Sequence, residues 1–538
     1  MLLSALARGL SLVGSMMYTA KFGFTLGTDI YSFAVNLPNL VFNSLGTALM
    51  TIVVPIFAGR LAAGERKEAY RFSDSALSIS LALSTALAAA GALLAPAIAG
   101  AVGRFGESGL ATFALRLMFP VMLFHSLGYV LQGVLQSSRR YMAPAAAAAC
   151  SGLSVILYVA TLADRYGVGG LLVATFIGLA MQAVVLIPPA VAARRAAFRG
   201  EGGDSPGGAS GARRFRFRLG FSDSDVRTAG RLALPVLVAS SSYQINMVVN
   251  SAFAAEFVGG VVTIANTQNL ASVVAQLFIL SMLAVYFPRM SASHAVGDAK
   301  GFSESFAAVL RLISYFALPA SAALAYLSRH LIPLLYGRGQ VTEGDIARSC
   351  AAFSLYAAAI ALIGLKEAAD RAFYAAKDSR TPAVAGAFIM ALNIALSYAL
   401  KGPLGLVGLP VAYLVSIAAG SAALLAAARL GGRVELPRGV RSLAAKCCVG
   451  SALMVAAMAA ADLALAHVLP AIGVGTDPGL GGSVGAGAWP AHLLAVRIAA
   501  LAAIGAGVYF GGTLIMRVEE SRGMLAAATS FRKRISHL

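Results

Sequence analysis

The sequence predicts an all-α integral membrane protein. About 14 transmembrane helices form two six-helix pseudo-symmetric lobes, with two more helices at the C-terminus. Three observations predict this. First, 59% of the 538 residues are hydrophobic and 12% are charged, whereas a soluble domain carries about 25% charged residues. Second, the apolar residues come in long blocks. Leu77–Gly103 and Ser349–Leu365 contain no charged residue. Roughly 20 apolar residues span about 30 Å of hydrocarbon as a helix, and in lipid the backbone must satisfy its own hydrogen bonds. Third, Lys and Arg gather in alternate connections between the blocks.

The first six spans are predicted near 3–24, 31–58, 74–102, 109–136, 141–163 and 167–193, and make an N-lobe over residues 1–194. A basic cytoplasmic linker follows over 195–231. Its stretch from Gly200 to Gly208 is rich in Gly and reads as flexible. The next six spans are predicted near 232–255, 260–288, 304–328, 348–374, 383–400 and 404–428, a C-lobe over 232–430. Two further spans, near 442–468 and 490–516, lie within 431–516, and a basic cytoplasmic tail runs over 517–538. The first block runs into Lys21-Phe22-Gly23 without a small-residue cleavage site, so it stays as the first span.

Charge placement sets the orientation. Arg60, Arg66, Lys67 and Arg71 follow span two, Arg139 and Arg140 follow span four, and Arg371, Lys377 and Arg380 follow span ten. The linker, the connection after span twelve and the tail are also basic, whereas the odd-numbered connections hold few such residues. The positive-inside rule then places both termini in the cytoplasm. The formal net charge of +19 is therefore a topology signal that also attracts anionic lipid headgroups, and no nucleic-acid partner is expected.

An internal repeat underlies the two lobes. Val54-Pro55 closing span two matches Phe287-Pro288 closing span eight, and each is followed by a short loop, Ala63-Gly64-Glu65 and Val296-Gly297-Asp298. Gly167-x-x-Gly170-Leu171 recurs 238 residues later as Gly405-x-x-Gly408-Leu409. An even number of spans per unit gives both halves the same orientation, as in parallel-repeat transporters, with a site expected near the bilayer midplane.

Polar residues inside spans are expensive and need a partner or a role. Span two carries Asn36, Asn39 and Asn43 around Pro38; span seven carries Gln244, Asn246 and Asn250; span eight carries Asn266, Gln268, Asn269 and Gln276. Each amide alone reads as glue between helices; the set, at equivalent places in the two lobes, reads as the lining of a hydrophilic cavity. Arg8 either snorkels to the headgroups or faces that cavity and holds an anion. Lys21 and Asp29 flank the first outer turn, where the plain reading is interfacial. Span ten ends in Lys366-Glu367-Ala368-Ala369-Asp370-Arg371. Lys366/Asp370 and Glu367/Arg371 are both i,i+4 pairs, either a self-neutralised helix end or a cytoplasmic gate.

The four cysteines lie in apolar helical context and read as small fillers. No Walker loop, H-E-x-x-H or Ser/His/Asp set is found, so no enzyme, metal or cofactor is expected. With no ATP-hydrolysing part in the sequence, the driving force would be an ion gradient, the membrane potential or a downhill substrate.

Read together, these features resemble the MurJ/MviN lipid II flippases of the MOP exporter superfamily. The matching residues are Arg8, Phe22-Gly23, Thr28-Asp29, Leu37-Pro38-Asn39, Val54-Pro55, Gly133 to Gln136 with Arg140 and Pro144, and Gln244-Ile245-Asn246. Then come Leu335 to Gly339 with Thr342 and Asp345, Arg371 with Phe373-Tyr374-Ala375, Lys377-Asp378 and Thr381-Pro382. The resemblance implies a flippase in the bacterial inner membrane. It would carry undecaprenyl-pyrophosphate-linked peptidoglycan precursor (lipid II) from the inner to the outer leaflet by alternating access, for cell wall biogenesis and cell shape. Cavity candidates are Arg8, Asp29, Asn39, Asn43, Gln244, Asn246 and Asn269; gate candidates are Lys366, Glu367, Asp370 and Arg371. The partners implied are the polyprenyl lipid, membrane lipids and other cell-wall synthesis proteins, with the chain acting as a monomer. The sequence departs from the family pattern where basic or acidic residues are usual: those positions read Gly14, Phe42, Asn43, Leu45, Asn250 and Asn269. The alternatives are a flippase for another polyprenyl-linked oligosaccharide, of O-antigen or capsule type, a cation-coupled small-molecule exporter of the same superfamily, and a non-transport scaffold.

Overall fold

A computed structural model describes residues 2–138, 140–198, 215, 217–218, 244–430, 438–471 and 491–522. Most of the basic linker, the start of the seventh predicted span and the end of the tail lie outside the described residues, as do the side chains of Asn43 and Gln276. The described residues form helices and no strands. Ten helical segments among them are long and apolar enough to cross a membrane. The chain folds as two compact units, Met1–Val262 and Thr263–Leu538.

The first unit contains α1 (Leu2–Phe22), α2 (Leu26–Ala62), α3 (Arg66–Ala101), α4 (Gly109–Met118), α5 (Val121–Ser137), α6 (Met142–Ala147), α7 (Ala149–Thr161) and α8 (Ala163–Ala197). A ninth helix, α9, runs through 244–254. Thr25 and Thr28 form a capping box that starts α2; each hydroxyl satisfies a backbone N–H that the first turn leaves unpaired. The predicted fourth span runs continuously over Gly109–Ser137, with a local disturbance between α4 and α5 at Phe119-Pro120, where Pro120 brings no N–H to the ladder. α8 is interrupted at Gly167, whose φ of 56° and ψ of −149° no helix contains, at the predicted start of the sixth span. α1 packs on α7, and α5 packs on α2, α3 and α8. A side chain at Gly152 on α7 would lie 2.9 Å from the Leu10 carbonyl carbon and the Ser11 nitrogen, so the α1/α7 crossing depends on a residue without Cβ.

Where α3 and α8 meet, Arg194 closes a two-pronged ion pair on Asp74, with Nη1 to Oδ1 at 2.6 Å and Nη2 to Oδ2 at 2.8 Å. The guanidinium also lies over the Tyr70 ring, 5.1 Å from its centre. Planar fork, carboxylate and aromatic face match the geometry that Arg supplies and Lys does not.

α10 (Gly260–Ala295) carries the chain from the first unit into the second. It is followed by α11 (Ala299–Leu312), a π-turn over Ile313–Ala317, α12 (Leu318–Tyr336), α13 (Glu343–Ala375), α14 (Arg380–Leu400), α15 (Gly408–Leu430), α16 (Arg438–Ala471) and α17 (Ala491–Ile515). α13 packs on α12 and α15, α15 on α14, and the C-terminal pair α16/α17 packs on α12. Thr342 and Asp345 form the capping box that starts α13, and Asp345 also pairs with Arg348 at 2.5 Å. Asp378 begins α14 by accepting the N–H groups of Arg380 and Thr381 and the Thr381 hydroxyl. The Thr342/Asp345 and Asp378/Thr381 motifs are thus helix starts.

The repeat is visible in backbone angles. Gly64 and Gly297 take φ of 80° and 73°, and Gly167 and Gly405 take 56° and 58°. These are left-handed turns that L side chains resist, placed at matching points of the two halves.

Candidate functional site

In the first unit the sequence candidates have different surroundings. Arg8 is exposed on α1. Lys21 pairs with Asp164 at 2.5 Å on the surface. Asp29 is fully buried. Its Oδ2 accepts the Gly259 N–H at 2.6 Å and its Oδ1 the Val262 N–H at 3.0 Å. The carboxylate therefore sits on the N-terminus of α10, where unpaired amides and the helix dipole favour an anion. The long-range contact overrides the exposed position its place beside a turn suggests.

Asn39 donates its side-chain amide to the Val35 carbonyl in its own helix, 2.9 Å away. The Oε1 of Gln244 is buried and meets no donor among the described residues. Asn246 and Asn250, buried on one face of α9, are joined by an amide–amide bond of 3.1 Å. The first unit thus brings the two α9 amides together. Asn43, as noted, cannot be placed.

Phe42 stands where the resembled family carries a basic residue, and it is 1% exposed. It stacks on His125 and Tyr129 of α5, with ring centres 6.4 and 6.1 Å apart. The buried Nε2 of His125 has no partner among the described residues. Sequence reasoning passed over His125, although its place inside the apolar fourth span was the available signal.

In the second unit Asn266 is buried and Asn269 is exposed on α10. The gate candidates cluster at the end of α13. Lys366 Nζ lies 2.5 Å from Asp370 Oδ2 and 3.8 Å from Glu367 Oε1. Asp370 is 6% exposed, and its Oδ1 has no donor among the described residues. The expected Glu367/Arg371 pair does not form. Glu367 turns to Lys366, and Arg371 instead lies over the Phe287 ring of α10 at 5.5 Å. The ring face and the shared lysine take the two partners apart.

Sequence reasoning missed one further cluster. His330 on α12, Asp462 on α16 and Arg497 on α17 meet inside the second unit, with side chains 6%, 7% and 5% exposed. The signal available was one acidic and one basic residue, each isolated in its own apolar block, since buried opposite charges in adjacent helices need each other.

Ten long apolar helices, with no strand among the described residues, define a many-span helical membrane-protein fold. The likeness to solved structures agrees. A lipid II flippase MurJ in an inward closed conformation matches with a TM-score of 0.74, over 96% of this chain and 98% of that one, at 19% identity. An inward-facing multidrug resistance MATE family transporter of the MOP superfamily matches with a TM-score of 0.59, over 82% and 94%, at 14% identity. The lipid II flippase MurJ family model matches residues 18–474, and the chain belongs to that family. Among curated relatives, the probable lipid II flippase MurJ of Vibrio cholerae is 22% identical over 475 residues, 85% of this chain and 86% of the relative. That of Rhizobium meliloti is 26% identical over 438 residues, 75% and 76%.

Proposed function

We propose that this chain is a lipid II flippase. It carries undecaprenyl-pyrophosphate-linked peptidoglycan precursor from the inner to the outer leaflet of the bacterial inner membrane. The observation that carries the reading is the family match across residues 18–474, on a chain of long apolar helices.

In this reading the fourteen predicted spans all cross the bilayer, both termini are cytoplasmic, and residues 1–194 and 232–430 act as lobes that open alternately. Arg8 and the amides of α2, α9 and α10 contact the pyrophosphate and sugar. The Lys366/Asp370 pair opens and closes the cytoplasmic side, with Glu367 and Arg371 beside it. An ion gradient or the membrane potential drives the cycle without a cofactor, and the chain works as a monomer beside other cell-wall synthesis proteins.

The test is rescue of a strain depleted of its own lipid II flippase. Growth with normal shape is expected. Absence of rescue, with the protein present in the membrane, overturns the reading. Arg8→Ala is expected to abolish the rescue at unchanged protein level, and full rescue removes Arg8 from the headgroup role.

A second reading, transport of another polyprenyl-linked oligosaccharide, is favoured by the Phe42–His125–Tyr129 stack at a position where the family carries a basic residue. Rescue of an O-antigen or capsule flippase mutant, without rescue of the lipid II strain, would establish it.

A further inference from the structure

The C-terminal pair α16/α17 is fastened to α12 at two levels. At one level Asp462 uses both carboxylate oxygens. Oδ1 accepts from Arg497 Nε at 2.7 Å and lies 2.6 Å from Arg497 Nη2. Oδ2 meets His330 Nε2 at 2.9 Å and accepts the Tyr326 hydroxyl at 3.1 Å. Arg497 also donates to the Asp462 backbone carbonyl at 3.3 Å. Three helices therefore converge on one carboxylate. At the other level Tyr509 of α17 donates its hydroxyl to the Tyr315 carbonyl at 2.8 Å. That carbonyl belongs to the π-turn ahead of α12, where widened geometry leaves backbone oxygens short of donors. Nearby, Lys446 of α16 donates to the Met516 carbonyl just beyond α17 at 2.8 Å. Between the two levels, Leu327, Met454, Met458 and Leu501 belong to one apolar core.

Lipid offers no substitute for such partners. Helices in a bilayer gain little from apolar contact, because lipid tails are as apolar as leucine. A charged group drawn out of its pair is left bare in hydrocarbon. We propose that α12, α16 and α17 form a single rigid body with Asp462 as its positioning residue, so that the C-terminal pair moves with α12 and never separately from it. The proposal does not depend on what the protein carries.

Pulsed electron resonance on the full chain tests it. The four cysteines are replaced, and spin labels are placed through Arg338→Cys and Ile515→Cys, both at exposed sites. The labels sit at opposite ends of the body, roughly 39 Å apart along the helix axes, the rise from Arg497 to Ile515 plus that from His330 to Arg338. In nanodiscs the parent is expected to give one narrow distance distribution. Asp462→Ala is expected at least to double its width or to add a second distance. Asp462→Asn, which keeps the shape and loses the charge, serves the same comparison if the alanine variant does not reach the membrane. Two distances in the parent overturn the proposal, as does a distribution that stays narrow in the variants.

Discussion

The carboxylate of Asp29 and the backbone N–H of Gly259 meet at 2.6 Å across 230 residues of chain. With Val262 as second donor, Asp29 supplies the anion that the start of α10 lacks. Asp29→Ala leaves two buried amides unpaired and is expected to cost about 2–4 kcal/mol. Asp29→Asn is expected to cost about as much, because its NH2 turns a donor toward a donor. Thermal unfolding in detergent checks both. An Asn variant as stable as the parent would show that the carboxylate does not have this role.

The matched turns give a second expectation. Gly64 and Gly297 have open space where a Cβ would go, so only their left-handed backbone resists substitution. Gly64→Ala and Gly297→Ala should each cost about 1 kcal/mol. The comparison is with a neutral change at the neighbouring Ala63. Unequal losses at the two sites would break the equivalence of the repeats.

A double-mutant cycle addresses the end of α13. Lys366→Met leaves Asp370 buried without its cation and should cost about 3 kcal/mol. Adding Asp370→Leu should return most of that loss, giving a coupling above about 1 kcal/mol. The cycle on Glu367 and Arg371 should give a coupling near zero, since Arg371 lies against Phe287. Coupling of equal size in both cycles would contradict the side-chain arrangement at this site.

The Asp74/Arg194 fork separates geometry from charge. Arg194→Lys keeps the charge but loses one of the two parallel bonds and the contact with Tyr70, and is expected to cost about 1–2 kcal/mol. Arg194→Ala strands Asp74 and is expected to cost about 3–5 kcal/mol. Both would appear as lower unfolding temperatures, in that order; a lysine variant matching the parent would remove the fork from the account.

The fold class was legible because hydropathy and charge alternation are local properties, read one block at a time. The repeat was legible for the same reason: Gly167 and Gly405 head similar short sequences, and the backbone confirms them as similar turns. One irregularity inside a span was read less well. Pro120 was visible as a residue, but an apolar block on both sides concealed the local disturbance inside the fourth span. The candidate site was legible in part. Lys366/Asp370 lies within one helical turn and could be paired by spacing alone. Asp29 with Gly259, Asp74 with Arg194, and His330 with Asp462 and Arg497 depend on how distant helices pack. No spacing rule connects residues more than a turn apart. Arg371 shows the opposite failure: the spacing was right for Glu367, but a ring from another helix competed for it.

The π-turn at 313–317 sets a phase. Each residue advances a helix by about 100°, so the extra residue held in a wide turn rotates everything beyond it by that amount relative to α11. Leu327 and His330 look toward α16 and α17 only in this rotated register. Removing a single residue from the turn would restore an ordinary ladder and aim His330 about a quarter-turn away from Asp462. A local irregularity of five residues thus decides which helices α12 can hold.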